Sequence, residues 1–118
     1  MFKLIRDKVP ELAKKEGQVI NYATAENDEL YIALLRNKFA EEASEFLASG
    51  NVAELADVLT IIKALLKAAN VSEEDFDKIY EEKLATNGGF EKRYIGFFPD
   101  AQPEQVPVEE QKPVEENK

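Results

Sequence analysis

The chain predicts an all-α helical bundle built on an antiparallel hairpin, and three observations carry that reading. Apolar residues recur at helical spacing over two long stretches, from about Asp28 to Ala48 and from about Val52 to Ala69. Only Ser49-Gly50-Asn51 separates them, a link so short that it forces antiparallel neighbours. A third helical stretch opens on Ser72 and closes at Asn87-Gly88-Gly89. A hairpin and one more long helix leave apolar surface such as Ile62, Leu65 and Leu66 uncovered, so an oligomeric bundle is expected. A minor β pairing near the termini stays open.

Met1 to Ile5 is short and mixed, and Arg6-Asp7-Lys8-Val9-Pro10 leads into a brief helix. Pro10 suits its first turn and Gly17 the position just past its end. Gln18 to Tyr22 is β-branched and short, which reads as an extended piece or strand. In the first long helix Leu35, Phe39 and Phe46 form the core-facing stripe. In the second, Val58, Ile61, Ile62, Leu65 and Ala69 form the apolar arc, with Thr60, Lys63 and Lys67 facing away.

Ser72, followed by Glu73, Glu74 and Asp75, caps a third long helix running to about Thr86, its first-turn acids favoured by the helix dipole. Phe90 to Phe98 is aromatic and β-prone, suited to pairing with the piece near Val19 or to packing over the bundle. From Pro99 on, the composition shifts: four of the five prolines lie there, and Pro107-Val108-Glu109-Glu110 is echoed by Pro113-Val114-Glu115-Glu116. The expected organisation is one domain over 1–98 and a flexible acidic tail over 99–118.

The chain has 118 residues, a formal charge of -9, and neither histidine nor cysteine. The charge argues against nucleic acid or an anionic membrane as partner, so an anionic substrate would need a metal. The missing residue types exclude the usual zinc sites, cysteine nucleophiles and Ser-His-Asp triads. Acid and base work falls to Asp, Glu, Lys or Tyr. No secretory segment or membrane-spanning run is visible, and a soluble cytoplasmic protein is the default expectation.

Two acidic pairs stand symmetrically about the break, Glu42/Glu45 before it and Glu54/Asp57 after it. Spacing of three residues keeps each pair on one helical face, about 4.5 Å apart along the axis. In a hairpin, Glu42 comes level with Asp57 and Glu45 with Glu54. Glu42 falls within the apolar stripe of its helix and Glu54 within that of the other, where an uncompensated carboxylate is costly. A cation must balance them, and oxygen-only ligation suits Mg²⁺ or Mn²⁺.

The string Lys38-Phe39-Ala40-Glu41-Glu42-Ala43-Ser44-Glu45, with Glu54-Leu55-Ala56-Asp57 after it, resembles the E-E-x-x-E and E-x-x-D signature of the MazG-like, all-α nucleoside triphosphate pyrophosphatases. Leu4-Ile5-Arg6-Asp7-Lys8-Val9-Pro10-Glu11 and Gly88-Gly89-Phe90-Glu91-Lys92-Arg93 resemble a subgroup described as phosphoribosyl-ATP pyrophosphohydrolase-like. The likeness covers roughly residues 1 to 97. It implies Mg²⁺-dependent hydrolysis of a nucleotide between its α and β phosphates, with Glu42, Glu45, Glu54 and Asp57 as metal ligands.

The same resemblance implies Glu41 or Glu42 as the catalytic carboxylate. Lys83 and Asn87 would hold phosphates, with Lys38 beside them, and Arg6, Lys8, Lys92 and Arg93 could act from a neighbouring subunit of a homodimer or homotetramer. Enzymes of histidine synthesis carry a histidine partner in the second helix that this chain lacks, so a nucleotide clean-up role is the expectation.

Plainer accounts stand beside these. Acidic pairs arise on solvated helices, and Lys83 and Asn87 suit a helix C-terminus in their own right. Arg6, Asp7 and Lys8 suit a salt-bridged turn, and Phe90 and Tyr94 suit packing against the preceding helix. A metal- or nucleotide-sensing module without turnover, or a purely structural oligomerisation bundle, would use the same residues differently.

Overall fold

The computed structural model describes residues 2–99. Four helices follow in order: α1 (Val9–Lys15), α2 (Asp28–Ser49), α3 (Val52–Ala68) and α4 (Glu73–Asn87). The expected tail lies outside the described residues, apart from Pro99. The described residues divide within α4 into two compact units, the first ending at Asp77 and the second beginning at Lys78.

Packing in the first unit is that of α2 against α3. The hairpin forms because its turn satisfies the helix ends on both sides. Gly50 takes the left-handed conformation, φ 68°, and its N–H donates to the Phe46 carbonyl at 2.7 Å. A residue with a Cβ is strained at that φ. Asn51 then caps α3 by accepting from the Ala53 N–H at 2.9 Å, while the Ser49 hydroxyl accepts from Asn51 N–H at 3.0 Å and reaches Glu54 Oε1 at 3.4 Å.

At its start α2 is capped by Asn27, whose side chain accepts from Leu30 N–H at 2.8 Å. α3 ends in a left-handed Asn70, φ 60°, with Val71 N–H donating back to Leu66 C=O at 2.9 Å. Ser72 caps α4 as expected, its hydroxyl accepting from Asp75 N–H at 3.0 Å.

The core is thin. Ala13, Leu35 and Ile61 are its buried apolar members among the described residues. Leu35 and the arc members Val58, Ile61 and Leu65 face inward as the sequence indicates, whereas Phe39 is exposed and Phe46 half-buried. The second apolar line on α3, Val52, Leu55 and Leu59, is more exposed than the Ile62, Leu65 and Leu66 picked out from sequence. One inward face is all a single antiparallel neighbour can cover.

No strand forms among the described residues. Gln18 to Tyr22 is irregular, and Val19 is 86% exposed, so that piece has no apolar surface to pack on.

In the second unit, Gly88 ends α4 at φ 78°, donating to the Leu84 carbonyl at 2.8 Å. Phe90 does not fold back on the helix: it is 95% exposed in a turn closed by Arg93 N–H to Phe90 C=O at 3.0 Å. Lys92 stands 5.8 Å over the Tyr94 ring, a cation–π contact at the margin of its range.

Candidate metal centre

Glu42 is the centre of the acidic cluster. Its position on the inward face of α2, one step of seven beyond Leu35, leaves it 8% exposed. From α3, Glu54 and Asp57 approach it at the spacing the hairpin sets. Carboxylate oxygens of Glu42, Glu54 and Asp57 lie within 4.8 Å of one another, and so do those of Glu41, Glu42 and Glu45. The four expected ligands therefore meet as two groups that share Glu42. Glu45 is exposed and joins Glu41 and Glu42 rather than the α3 pair.

Glu41 turns back toward the cluster, although its Cα direction differs from that of Glu42 by about 100°. Lys38 draws it there: Lys38 Nζ is 3.1 Å from Glu41 Oε2 and 3.5 Å from Glu42 Oε1. Lys3 adds a second contact to Glu41 Oε2 at 3.2 Å. On the α3 side Arg6 Nη1 donates to Asp57 Oδ1 at 2.6 Å, and Arg6 Nη2 reaches Thr60 Oγ1 at 3.5 Å. Thr60 thus joins the site instead of facing away from it.

These contacts split the acids by basicity. Burial pushes the Glu42 carboxyl above the ordinary carboxylate value, with the charges of Glu45 and Asp57 acting the same way against Lys38. The hydrogen bond from Lys38 holds Glu41 below that value, helped by Lys3 and outweighing its burial. Burial works against the Lys38 ammonium, but the bond to Glu41 and the charges of Glu41 and Glu42 win, and its pKa is raised.

One polar atom is left over. Glu42 Oε2 is buried with no hydrogen-bond partner. A buried oxygen without a donor costs about 1–3 kcal/mol, even with the other oxygen of the carboxylate beside Lys38. Glu42, Glu54 and Asp57 could together hold a metal ion, and their oxygen-only donor set is of the kind that a hard cation takes.

Beside the cluster opens a cavity of about 630 Å³, within the range of small-molecule sites. Asp7, Glu42, Asp57, Arg6, Lys8 and Lys38 supply its charged wall, and Leu4, Ile5, Val9, Leu12, Tyr31, Leu35, Ile61 and Ala64 its apolar one. Lys38 therefore lines it beside Glu42 and Asp57, and Arg6 and Lys8, expected to act from a neighbouring subunit, line it from the same chain. Lys83, Asn87 and Arg93 are exposed members of the second unit, Lys83 and Asn87 on α4 and Arg93 in the following turn at φ 60°. Sequence reasoning missed Lys3, Thr60 and Tyr31, whose only signal is their nearness to the Arg6 motif or to the helix faces bearing the acids.

Comparison with known proteins gives no match to a family model, a curated protein or a solved structure. Among the described residues no helix is long and apolar enough to cross a membrane.

Proposed function

We propose that this protein is a Mg²⁺-dependent nucleotide pyrophosphohydrolase, cleaving a nucleoside triphosphate or a related nucleotide between its α and β phosphates in a clean-up role. The observation that supports it most is the buried Glu42, a member of both acidic groups with one oxygen unpartnered, lining a cavity that Arg6, Lys8 and Lys38 line as well. The E-E-x-x-E and E-x-x-D strings that build this cluster are those of the MazG-like resemblance, and the all-α hairpin suits it.

In this reading Glu42, Glu54 and Asp57, with Glu45 and Glu41 on the other side of Glu42, would hold the ion. When bound, a divalent ion neutralises phosphate charge and acidifies water at neutral pH. Lys38, Lys8 and Arg6 hold the phosphates, and the apolar wall with Tyr31 receives the nucleoside. Water adds to the α phosphorus, the bond to the bridging oxygen breaks, and the nucleoside monophosphate and pyrophosphate depart with release of one proton. Glu41 stays ionised at neutral pH beside its two lysines and orients that water. The resemblance also implies phosphate-holding roles for Lys83 and Asn87, and for Lys92 and Arg93 from a neighbouring subunit, and the exposed line Val52, Leu55 and Leu59 is a face for a second copy in a homodimer or homotetramer.

A second reading, a metal- or nucleotide-sensing module without turnover, is favoured by the way Lys3, Arg6 and Lys38 already compensate the acids. Pyrophosphate release from canonical, deoxy and modified nucleotides with Mg²⁺ separates the two. Release that Glu42→Gln lowers at least 100-fold supports the hydrolase. Metal binding with no release from any nucleotide supports the sensor.

A further inference from the structure

The segment from Lys3 to Lys8 lies across the acidic hairpin as a strap. One ion pair ties it to each helix, Lys3 to Glu41 of α2 at 3.2 Å and Arg6 to Asp57 of α3 at 2.6 Å. Leu4 and Ile5 between them are half-buried and line the cavity. The guanidinium of Arg6 is more than half exposed, so its hold on Asp57 is a surface contact that solvent and salt can exchange. Asp57 is also one of the three residues, with Glu42 and Glu54, that bring a carboxylate oxygen within 4.8 Å of one another, and Glu42 has one oxygen without a partner.

We propose that Arg6 is a displaceable counter-ion: it pairs with Asp57, and a divalent cation held by Glu42, Glu54 and Asp57 would release it toward the phosphates of the nucleotide. This inference rests on the divalent-cation centre proposed above. A dication at Asp57 repels a guanidinium 2.6 Å from the same carboxylate, and both draw on one negative charge. The cavity wall offers the freed guanidinium a new partner as soon as a phosphate enters, beside Lys8 and Lys38. Cation and substrate binding are thereby coupled through one side chain, and the coupling runs equally in both directions.

The test measures Mn²⁺ alone, by loss of the free-ion EPR signal, on the full chain, Arg6→Gln, Arg6→Lys and Glu42→Gln. Circular dichroism checks that each variant keeps its helix content. Arg6→Gln should bind Mn²⁺ about two- to fivefold more tightly than the natural chain, the scale on which an exposed ion pair is felt. Arg6→Lys should lie between. In the natural chain, Mg²⁺ alone should shift and sharpen the Arg6 guanidinium signals in ¹⁵N NMR, because rotation speeds up once Asp57 lets go.

Unchanged or weaker Mn²⁺ binding by Arg6→Gln, or Arg6 signals indifferent to Mg²⁺, overturns the exchange while leaving a centre that Glu42→Gln abolishes. Mn²⁺ binding absent from every form overturns both the exchange and the centre. Exchange seen without pyrophosphate release upholds the counter-ion and removes only the hydrolase. Should Arg6→Gln not fold, Arg6→Lys and the NMR of the natural chain decide.

Discussion

Lys38 reaches Glu42 across one turn of α2, 3.5 Å from Nζ to Oε1, yet leaves the other oxygen of that carboxylate buried and without a donor. The lysine also serves Glu41 at 3.1 Å, so one ammonium is shared between two acids of opposite character. Glu42 is pushed toward protonation and Glu41 held away from it. Burial and the shared ammonium thus move two neighbouring carboxyls in opposite directions.

The sign of the Glu42 shift gives a pH test. A carboxyl raised in the folded state stabilises the fold fully below its unfolded value, near 4.5, and that contribution is lost as pH rises through the folded value. In chelator, Glu42→Gln should be more stable than the natural chain at pH 7, by about 1 kcal/mol. The gap should close as pH falls below 4.5. Glu41, lowered in the fold, works oppositely and is present in both proteins, so only the change in its share of Lys38 enters the difference. Urea titrations from pH 4 to 8 measure it, and a variant less stable than the natural chain at pH 7 in chelator would contradict it.

Removing the ammonium tests the other side of the pair. Lys38→Met leaves both Glu42 oxygens without a basic neighbour and Glu41 with Lys3 alone. The cation-free variant should lose about 2 kcal/mol at pH 7, less than a fully broken buried pair because Glu42 can take up a proton. Added Mg²⁺ should restore much of that loss. Chemical denaturation with and without 10 mM Mg²⁺ reads both numbers, and an equal loss in the two conditions would mean that the ion and the ammonium do not serve the same acids.

How much of this was legible in the sequence follows from what periodicity encodes. It gives the face of each helix, so Leu35, Ile61 and the level meeting of Glu42 with Asp57 could be read, and Ser49-Gly50-Asn51 and Ser72 marked helix ends by their own chemistry. It does not encode the reach of a flexible side chain. Glu41 swings round its helix to Lys38, and Arg6 crosses to Asp57 from 51 positions away. Phe39 and Phe90 were expected to pack inward because aromatic residues usually do, but exposure depends on which neighbour exists to cover them, and α2 has α3 on one side only.

The turn that sets the register can be loosened without touching the acids. At Gly50 a Cβ would meet nothing within 4 Å, so the cost of Gly50→Ala is conformational, from φ 68° alone. Stability should fall by about 1 kcal/mol, and Asn51→Ala should cost a similar amount through the lost cap on α3. Thermal melts of the two single variants check this. A neutral Gly50→Ala would show that the turn relaxes to a negative φ and that Gly50 does not fix the register.

Cation binding should appear as stabilisation graded by how many acidic groups each residue serves. Glu42 belongs to both groups, Glu54 and Asp57 to one, and the exposed Glu45 to the other. At a hundredfold excess over Kd, an ion that binds only the folded chain adds about 2.7 kcal/mol. In a domain of this size that raises Tm by roughly 10 °C or more. Glu42→Gln should abolish the rise with Mg²⁺ or Mn²⁺, Glu54→Gln and Asp57→Asn should remove most of it, and Glu45→Gln should keep the larger part. The order matters more than the magnitudes, because it separates a centre built between α2 and α3 from loose screening of surface charge. Under screening alone, each neutralised acid would change the rise by a similar small amount, Ca²⁺ and high NaCl would mimic Mg²⁺, and buried Glu42 would be no more sensitive than exposed Glu45.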